Sequence, residues 1–248
     1  MKRSKGLTLI EIMISLLLGL IVIGGALSIY ISTIRSSTDI SNSARLNYDL
    51  DSAMQLMVND IRRAGFWGGA IAGSDAEINP FTIGVANIQI PVDSCILYTY
   101  DGDGDGVLVD DNEYYGFKLQ DGNIRIWTSN AVDASGDCTA NGWETITNEG
   151  KVNISSLTFS FLPSAASAGP PSIPALPQSS QCLNTTTSLA YNTPCSSVTV
   201  ANLPSGNVAA ETRQINIVMT GEVSGDSSVT KVLTATVRVR NDRTFTKP

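Results

Sequence analysis

The run IMISLLLGLIVIGGALSIYI, Ile12 to Ile31, carries no charged residue and constrains this chain more than any other stretch. At about 20 residues it has the length of a helix that crosses the hydrocarbon core of a bilayer. The residues before it, MKRSKG, include Lys2, Arg3 and Lys5. Cations so placed stay on the cytoplasmic side, so the N-terminus is expected inside and the remainder of the chain outside. A secretory signal of the ordinary kind would put small residues of the A-x-A type after the apolar stretch. SIYISTIR stands there instead, so removal of the run is not expected.

The chain has 248 residues, enough for this anchor and one globular domain with its own core. The formal charge is -7, and the leader holds three of the cations, so the domain should repel phosphate backbones. Nucleic acid is therefore not an expected partner. The sequence contains no histidine, which removes Ser/His/Asp and Cys/His nucleophilic sites and histidine-based zinc sites, and the chain is read as no enzyme. The cysteines are Cys95, Cys138, Cys182 and Cys195, with no Cys-x-x-Cys pair among them. An even count behind a membrane segment points to disulfides formed in an oxidising compartment, the periplasm or cell exterior. Three connectivities are open, and chain order favours Cys95 with Cys138 and Cys182 with Cys195.

Glu11 lies at the mouth of the apolar run, five residues after Gly6. A carboxylate inside a membrane costs several kcal/mol unless it finds a partner or reaches the interface. The stretch KGLTLIEIMISLLLGL resembles the prepilin signature, a basic leader followed by Gly, Phe, Thr, Leu, Ile or Val, and Glu. The resemblance implies cleavage by a prepilin peptidase between Gly6 and Leu7, and N-methylation of the new amine on Leu7. Leu7 departs from the usual Phe. It also implies that Glu11 pairs with the Leu7 amine of a neighbouring subunit, which would compensate the buried charge.

Beyond the membrane, Ile40, Ala44, Leu50, Met54, Met57, Ile61 and Ala64 recur at helical spacing among polar residues. One helix from Leu7 to about Ala64 is expected, on the order of 85 Å long at 1.5 Å per residue. Gly24 and Gly25 are expected to interrupt it, each costing roughly 1 kcal/mol relative to Ala. They could mark a segment that extends in a filament, or a close approach of a neighbouring helix. In DIRRAGFWGG, Asp60 to Gly69, cations and then glycines should end the helix. A helix ending in Arg, Ala, Gly, aromatic, Gly resembles the PilW type of minor pilin, a likeness that covers the first seventy residues.

From Ile71 onward, short stretches with strand character alternate with turn residues: ANIQIPV, SCILYTYD, EYYGFKLQ, NIRIWTS, KVNISSLTFSFL, SSVTVANL, RQINIVMTGEV and KVLTATVRVR. DGN at Asp121 to Asn123 reads as a hairpin turn, and EVSGDSS should join the last two strands. Pro163 to Gln181 reads as a long surface loop. Trp127, Trp143, Phe159, Phe161 and Tyr115 are expected to pack in the core or sheet. Arg238 and Arg240 should lie on a solvated face. The fold class expected is α+β: a long N-terminal helix, transmembrane in its first half, packed on an antiparallel β-sheet domain of pilin-like type. Its parts are a leader at 1–6, a helix at 7–64 with the anchor at 12–31, and a β-rich domain at 65–248.

One further motif carries chemistry. In YTYDGDGDGVLVDDNEYYGF, Asp101, Asp103 and Asp105 alternate with glycines and precede Gly106, the first half of an EF-hand loop, D-x-D-x-D-G. The second half departs from it: position twelve falls on Asn112, with Glu113 one residue late. The flanks read as strands, so an EF-like loop in a hairpin is expected. Calcium would take the three Asp carboxylates, the Val107 carbonyl and one or more of Asp110, Asp111 and Glu113. The simpler reading is an exposed acidic turn.

Taken with the resemblance, these readings imply a minor pilin of a type IV pilus that helps initiate filament assembly and sits at or near the tip. Its implied partners are other minor pilins, the major pilin, prepilin peptidase, the inner membrane with its assembly platform, and a tip adhesin. The alternative is a J-type minor pseudopilin of a type II secretion system, whose N-terminal half would look much the same. A signal-anchored hydrolase using metal at the acidic cluster is the third reading.

Overall fold

The computed structural model describes residues 6, 8–68, 79–83, 86–108, 113–127, 138–139, 142–148, 150–161, 180–184, 193–194 and 208–246. The chain divides into two compact units, Met1–Arg45 and Leu46–Pro248. A single helix, α1 (Leu9–Ile61), runs through the first and continues into the second. It passes Gly24 and Gly25 without a break, so these glycines do not interrupt it. Away from its ends a helix makes its backbone hydrogen bonds internally, and that continuity outweighs a propensity cost of about 1 kcal/mol per glycine. The turns that follow α1 leave its axis at Gly65, whose φ of 73° is left-handed and whose N–H donates to the Thr99 carbonyl at 2.8 Å.

In the first unit no described side chain is buried. Leu16, Ile21 and Val22 expose 64, 63 and 70 % of their surface, and apolar residues occupy every side of the helix. α1 is long and apolar enough to cross a membrane. In the second unit the same helix is one-sided: Leu46, Leu50, Ala53, Met54, Met57 and Ile61 are buried and spaced to share one face.

That face meets two antiparallel sheets. The first has the order β1 (Gln89–Val92), β2 (Cys95–Thr99), β3 (Tyr114–Gln120), β4 (Asn123–Trp127), β5 (Trp143–Thr145). The β3–β4 hairpin turns on Asp121 and Gly122, both at positive φ (52° and 73°), as DGN requires. The second sheet is organised by β9 (Val208–Val223), with β6 (Val152–Phe161), β7 (Ser180–Asn184), β10 (Asp226–Arg238) and β11 (Arg243–Thr246) all pairing to it, and β8 (Thr193–Pro194) to β7. Ile215, Ile217 and Met219 of β9 are fully buried and belong to one core with Leu50, Met57, Ile96 and Phe117. Gly221 lets the helix approach: a Cβ there would lie 2.7 Å from a Leu50 methyl.

Several expectations change. Ser180 and Gln181, placed in the long loop, open β7, and the rest of that loop lies outside the described residues, as does SSVTVANL. β5 and β11 carry no signal of their own, being three and four residues that become strands by pairing with β4 and β9. Trp127 and Phe159 are buried, Trp143 and Tyr115 partly so, but Phe161 at the end of β6 is 37 % exposed. Arg238 and Arg240 are exposed. Cys95 and Cys138 form a disulfide, and with Leu97, Trp127 and Trp143 they make a second, smaller core. The pairing of Cys182 with Cys195 falls outside the described residues.

Candidate functional site

Two places gather the residues that the sequence singled out. At the N-terminus, Gly6 is exposed and nothing lies within 4 Å of where its Cβ would be, while Leu7 falls outside the described residues. Glu11 occupies the first turn of α1. Its Oε2 accepts the Thr8 backbone N–H at 3.3 Å and the Thr8 hydroxyl at 3.4 Å, and the Glu11 N–H donates to the Thr8 carbonyl at 3.1 Å. This pairing of Thr with Glu three residues on is a capping arrangement that satisfies otherwise unpaired donors at the helix start. TLIE spells it in the sequence. Glu11 therefore holds a local partner within a single chain.

The acidic motif forms the loop between β2 and β3. Those strands pair Thr99 with Tyr114, and the Tyr100 N–H donates to the Glu113 carbonyl at 3.3 Å, so the loop closes a hairpin. Asp101 is 2 % exposed and its carboxylate is the hub of the turn. Oδ1 accepts the Gly104 N–H at 2.6 Å, and Oδ2 accepts those of Gly68 at 2.8 Å and Gly106 at 3.0 Å. Burial acts to push the Asp101 carboxyl up, but these amides outweigh it and hold its pKa below the ordinary value. Asp103 Oδ1 accepts the Asp105 N–H at 3.1 Å, and Asp105 Oδ1 accepts that of Val107 at 2.8 Å. Trp67 donates its indole N–H to the Gly106 carbonyl at 2.8 Å, tying the loop to the segment after α1.

Glu113 closes the cluster from the β3 side. One carboxylate oxygen from each of Asp101, Asp103, Asp105 and Glu113 lies within 4.8 Å of the others. Glu113 is 2 % exposed, and neither of its oxygens has a hydrogen-bond partner of ordinary geometry. Burial first, and then the charges of Asp101, Asp103 and Asp105, push it up to about 7, with the Gly102 amide pulling the other way. The spacing of an EF-hand would have chosen Asn112; the hairpin brings in the next residue because Glu113 is the one that pairs across to Tyr100. Val107 is half exposed, and Asp110 and Asp111 lie outside the described residues.

The family model of prepilin peptidase-dependent protein B matches residues 39–239, and that of the prokaryotic N-terminal methylation motif matches residues 1–27. The chain belongs to the prepilin peptidase-dependent protein B family. No curated protein and no solved structure matches it. Membership makes it a type IV pilin-like protein dependent on prepilin peptidase, and its apolar helix and prepilin signal anchor it in the inner membrane. Domains of the pilin families are structural.

In this family member the sequence reading passed over two polar clusters, the first of which holds the end of α1 to the sheet. Asp60 accepts the hydroxyls of Tyr98 at 2.6 Å and Tyr100 at 3.0 Å, and Arg63 lies over the Tyr100 ring at 4.1 Å. Arg213 is 2 % exposed on β9; its guanidinium donates to Asn87 Oδ1 and, at 2.8 Å, to the Asn241 carbonyl. Burial lowers it to about 10. A signal for Arg213 was available, since it shares the inward parity of Ile215, Ile217 and Met219 along its strand.

Proposed function

We propose that this chain is a minor pilin of a type IV pilus, a structural subunit that helps initiate filament assembly and sits at or near the tip. The observation that carries the reading is the first half of α1: apolar on every side, exposed throughout the first unit, and headed by a carboxylate in its first turn. Such a surface requires a lipid bilayer, and then neighbouring helices once the subunit leaves it. Its N-terminus lies in the cytoplasm and its domain in the periplasm until assembly carries it outside the cell.

Prepilin peptidase cuts between Gly6 and Leu7, and the Leu7 amine is N-methylated. In the lone chain Glu11 accepts neutral donors from Thr8; a neighbour's Leu7 ammonium carries a full opposite charge and adds a Coulombic attraction that those donors lack. Exchange of one partner for the other would drive docking onto other minor pilins and the major pilin at the assembly platform, with a tip adhesin as cargo. Intact-mass analysis of the mature protein tests the first step, with Leu7 expected as a methylated N-terminus. Glu11→Ala should insert and be processed but fail to crosslink into minor-pilin complexes; crosslinking at the wild-type level would overturn the pairing. Deletion of the gene should remove surface pili. Intact piliation with lost protein secretion would instead assign the chain to a type II secretion system.

A further inference from the structure

We propose that Asp101, Asp103, Asp105 and Glu113 hold a calcium ion, and that the ion locks the β2–β3 loop onto the segment that follows α1. The proposal is independent of the chain's place in a filament.

The three Asp residues alone would be an acidic turn. Glu113 makes the difference, because it enters from the far side of the hairpin, is almost wholly buried with no hydrogen-bond partner of ordinary geometry on either oxygen, and brings a carboxylate oxygen into the same 4.8 Å cluster. A buried carboxylate without a partner is strongly unfavourable, and three carboxylates beside it add repulsion. No lysine or arginine joins the cluster among the described hydrogen bonds and ion pairs. A cation resolves all four charges together.

The donors identify the cation. All are carboxylate oxygens, the chain has no histidine, and Cys95 and Cys138 are committed to their disulfide, so a metal preferring nitrogen or sulfur is disfavoured. Magnesium keeps several waters and usually engages one or two carboxylates in near-ideal octahedral geometry. Calcium takes six to eight oxygens in flexible geometry and suits four converging carboxylates with water completing the shell. Lone-pair capacity is also adequate. A carboxylate offers about four acceptor sites. Asp101 uses three on Gly68, Gly104 and Gly106, whereas Asp103 and Asp105 each accept one backbone N–H.

The lock follows from the same hydrogen bonds. Asp101 binds the Gly68 amide, Trp67 binds the Gly106 carbonyl, and a Cβ on Gly68 would lie 3.0 Å from both Asp101 Oδ2 and Gly104 Cα. An ion that orders the loop therefore orders the chain immediately after the helix, and the Trp67 indole reports it.

The test uses the full chain in detergent micelles, stripped with chelator and then titrated with calcium chloride. Equilibrium dialysis should find one calcium per chain with Kd of roughly 0.1 to 1 mM, the range of extracellular modules. The melting temperature, followed by tryptophan fluorescence, should rise by about 3 to 5 °C at about 5 mM calcium. Asp103→Asn, an exposed change, should weaken binding by about 10-fold or more while the chelated protein melts no lower than chelated wild type. Glu113→Gln should abolish the calcium-dependent rise, and its chelated form should melt no lower than chelated wild type, because the buried charge is gone. No bound ion at about 5 mM, unchanged affinity in Asp103→Asn, or equal stabilisation by magnesium would overturn the proposal.

Discussion

α1 treats its apolar residues in two opposite ways. Leu16 and Ile21 are more than half exposed, whereas Leu50, Met57 and Ile61 are wholly buried, although all lie on one uninterrupted helix. Side-chain hydrophobicity does not distinguish the two stretches; its distribution around the helix does. In Leu46–Ile61 the apolar residues form one stripe, which a pair of sheets from the same chain can cover. In residues 12–31 they occupy all sides, which only lipid or several other helices can cover. Glycines follow the same division: nothing approaches Gly24 or Gly25 within 4 Å, while Gly221 of β9 is a spacer filled by Leu50.

The contrast can be broken or sharpened by substitution. The largest effect should come from the covalent staple that only the second unit has. The Cys95–Cys138 bridge closes a sequence separation of 43 residues, so Cys95→Ser with Cys138→Ser should lower domain stability by about 4 kcal/mol in the chain-entropy model, measured by urea unfolding in micelles. The apolar anchor should still partition into membranes. Next, Leu50→Ala should cost about 3 kcal/mol in the same assay through the cavity it leaves. Leu17→Ala, at a position 58 % exposed, should stay within about 0.5 kcal/mol. A cost at Leu17 equal to that at Leu50 would show that the first stretch is also covered within the single chain.

Gly221→Ala should destabilise by about 1 to 2 kcal/mol, since its new methyl collides with Leu50 unless helix and strand move apart. Gly24→Ala should leave domain melting unchanged, and loss of assembly in that variant would locate a close-packed neighbour at this glycine. The smallest loss expected at a buried position concerns the clamp at the end of the buried stretch. Tyr98→Phe removes one of two hydroxyls bound to Asp60 and should cost about 1 kcal/mol, with Tyr100 retained. A change below about 0.3 kcal/mol would mean that Tyr100 alone holds the helix end.

Legibility in the sequence followed the range of each interaction. The hairpin turn at Asp121 and Gly122 could be read because positive φ at two successive residues is a local demand that Asp-Gly meets. Thr8 and Glu11 could have been read as a cap for the same reason. By contrast, β11 exists because β9 is sixteen residues long and offers an edge to it, which four residues of RTFT do not announce. The acidic loop lies between these cases: D-x-D-x-D-G marked three members, but Glu113 joined through cross-strand pairing and not through loop spacing.

The sequence by itself determined the anchor, the helix that continues from it and the acidic triplet, because each depends on residues within a few turns or bonds of one another and on solvent, water or lipid. Tertiary structure alone decided which cysteine meets Cys95, which glycine turns the chain away after α1, where Arg213 finds Asn87 and Asn241, and that Glu113 becomes the buried fourth carboxylate. Those outcomes join residues far apart in the chain. Each pairwise energy is small and only the packing of the whole domain selects among the alternatives.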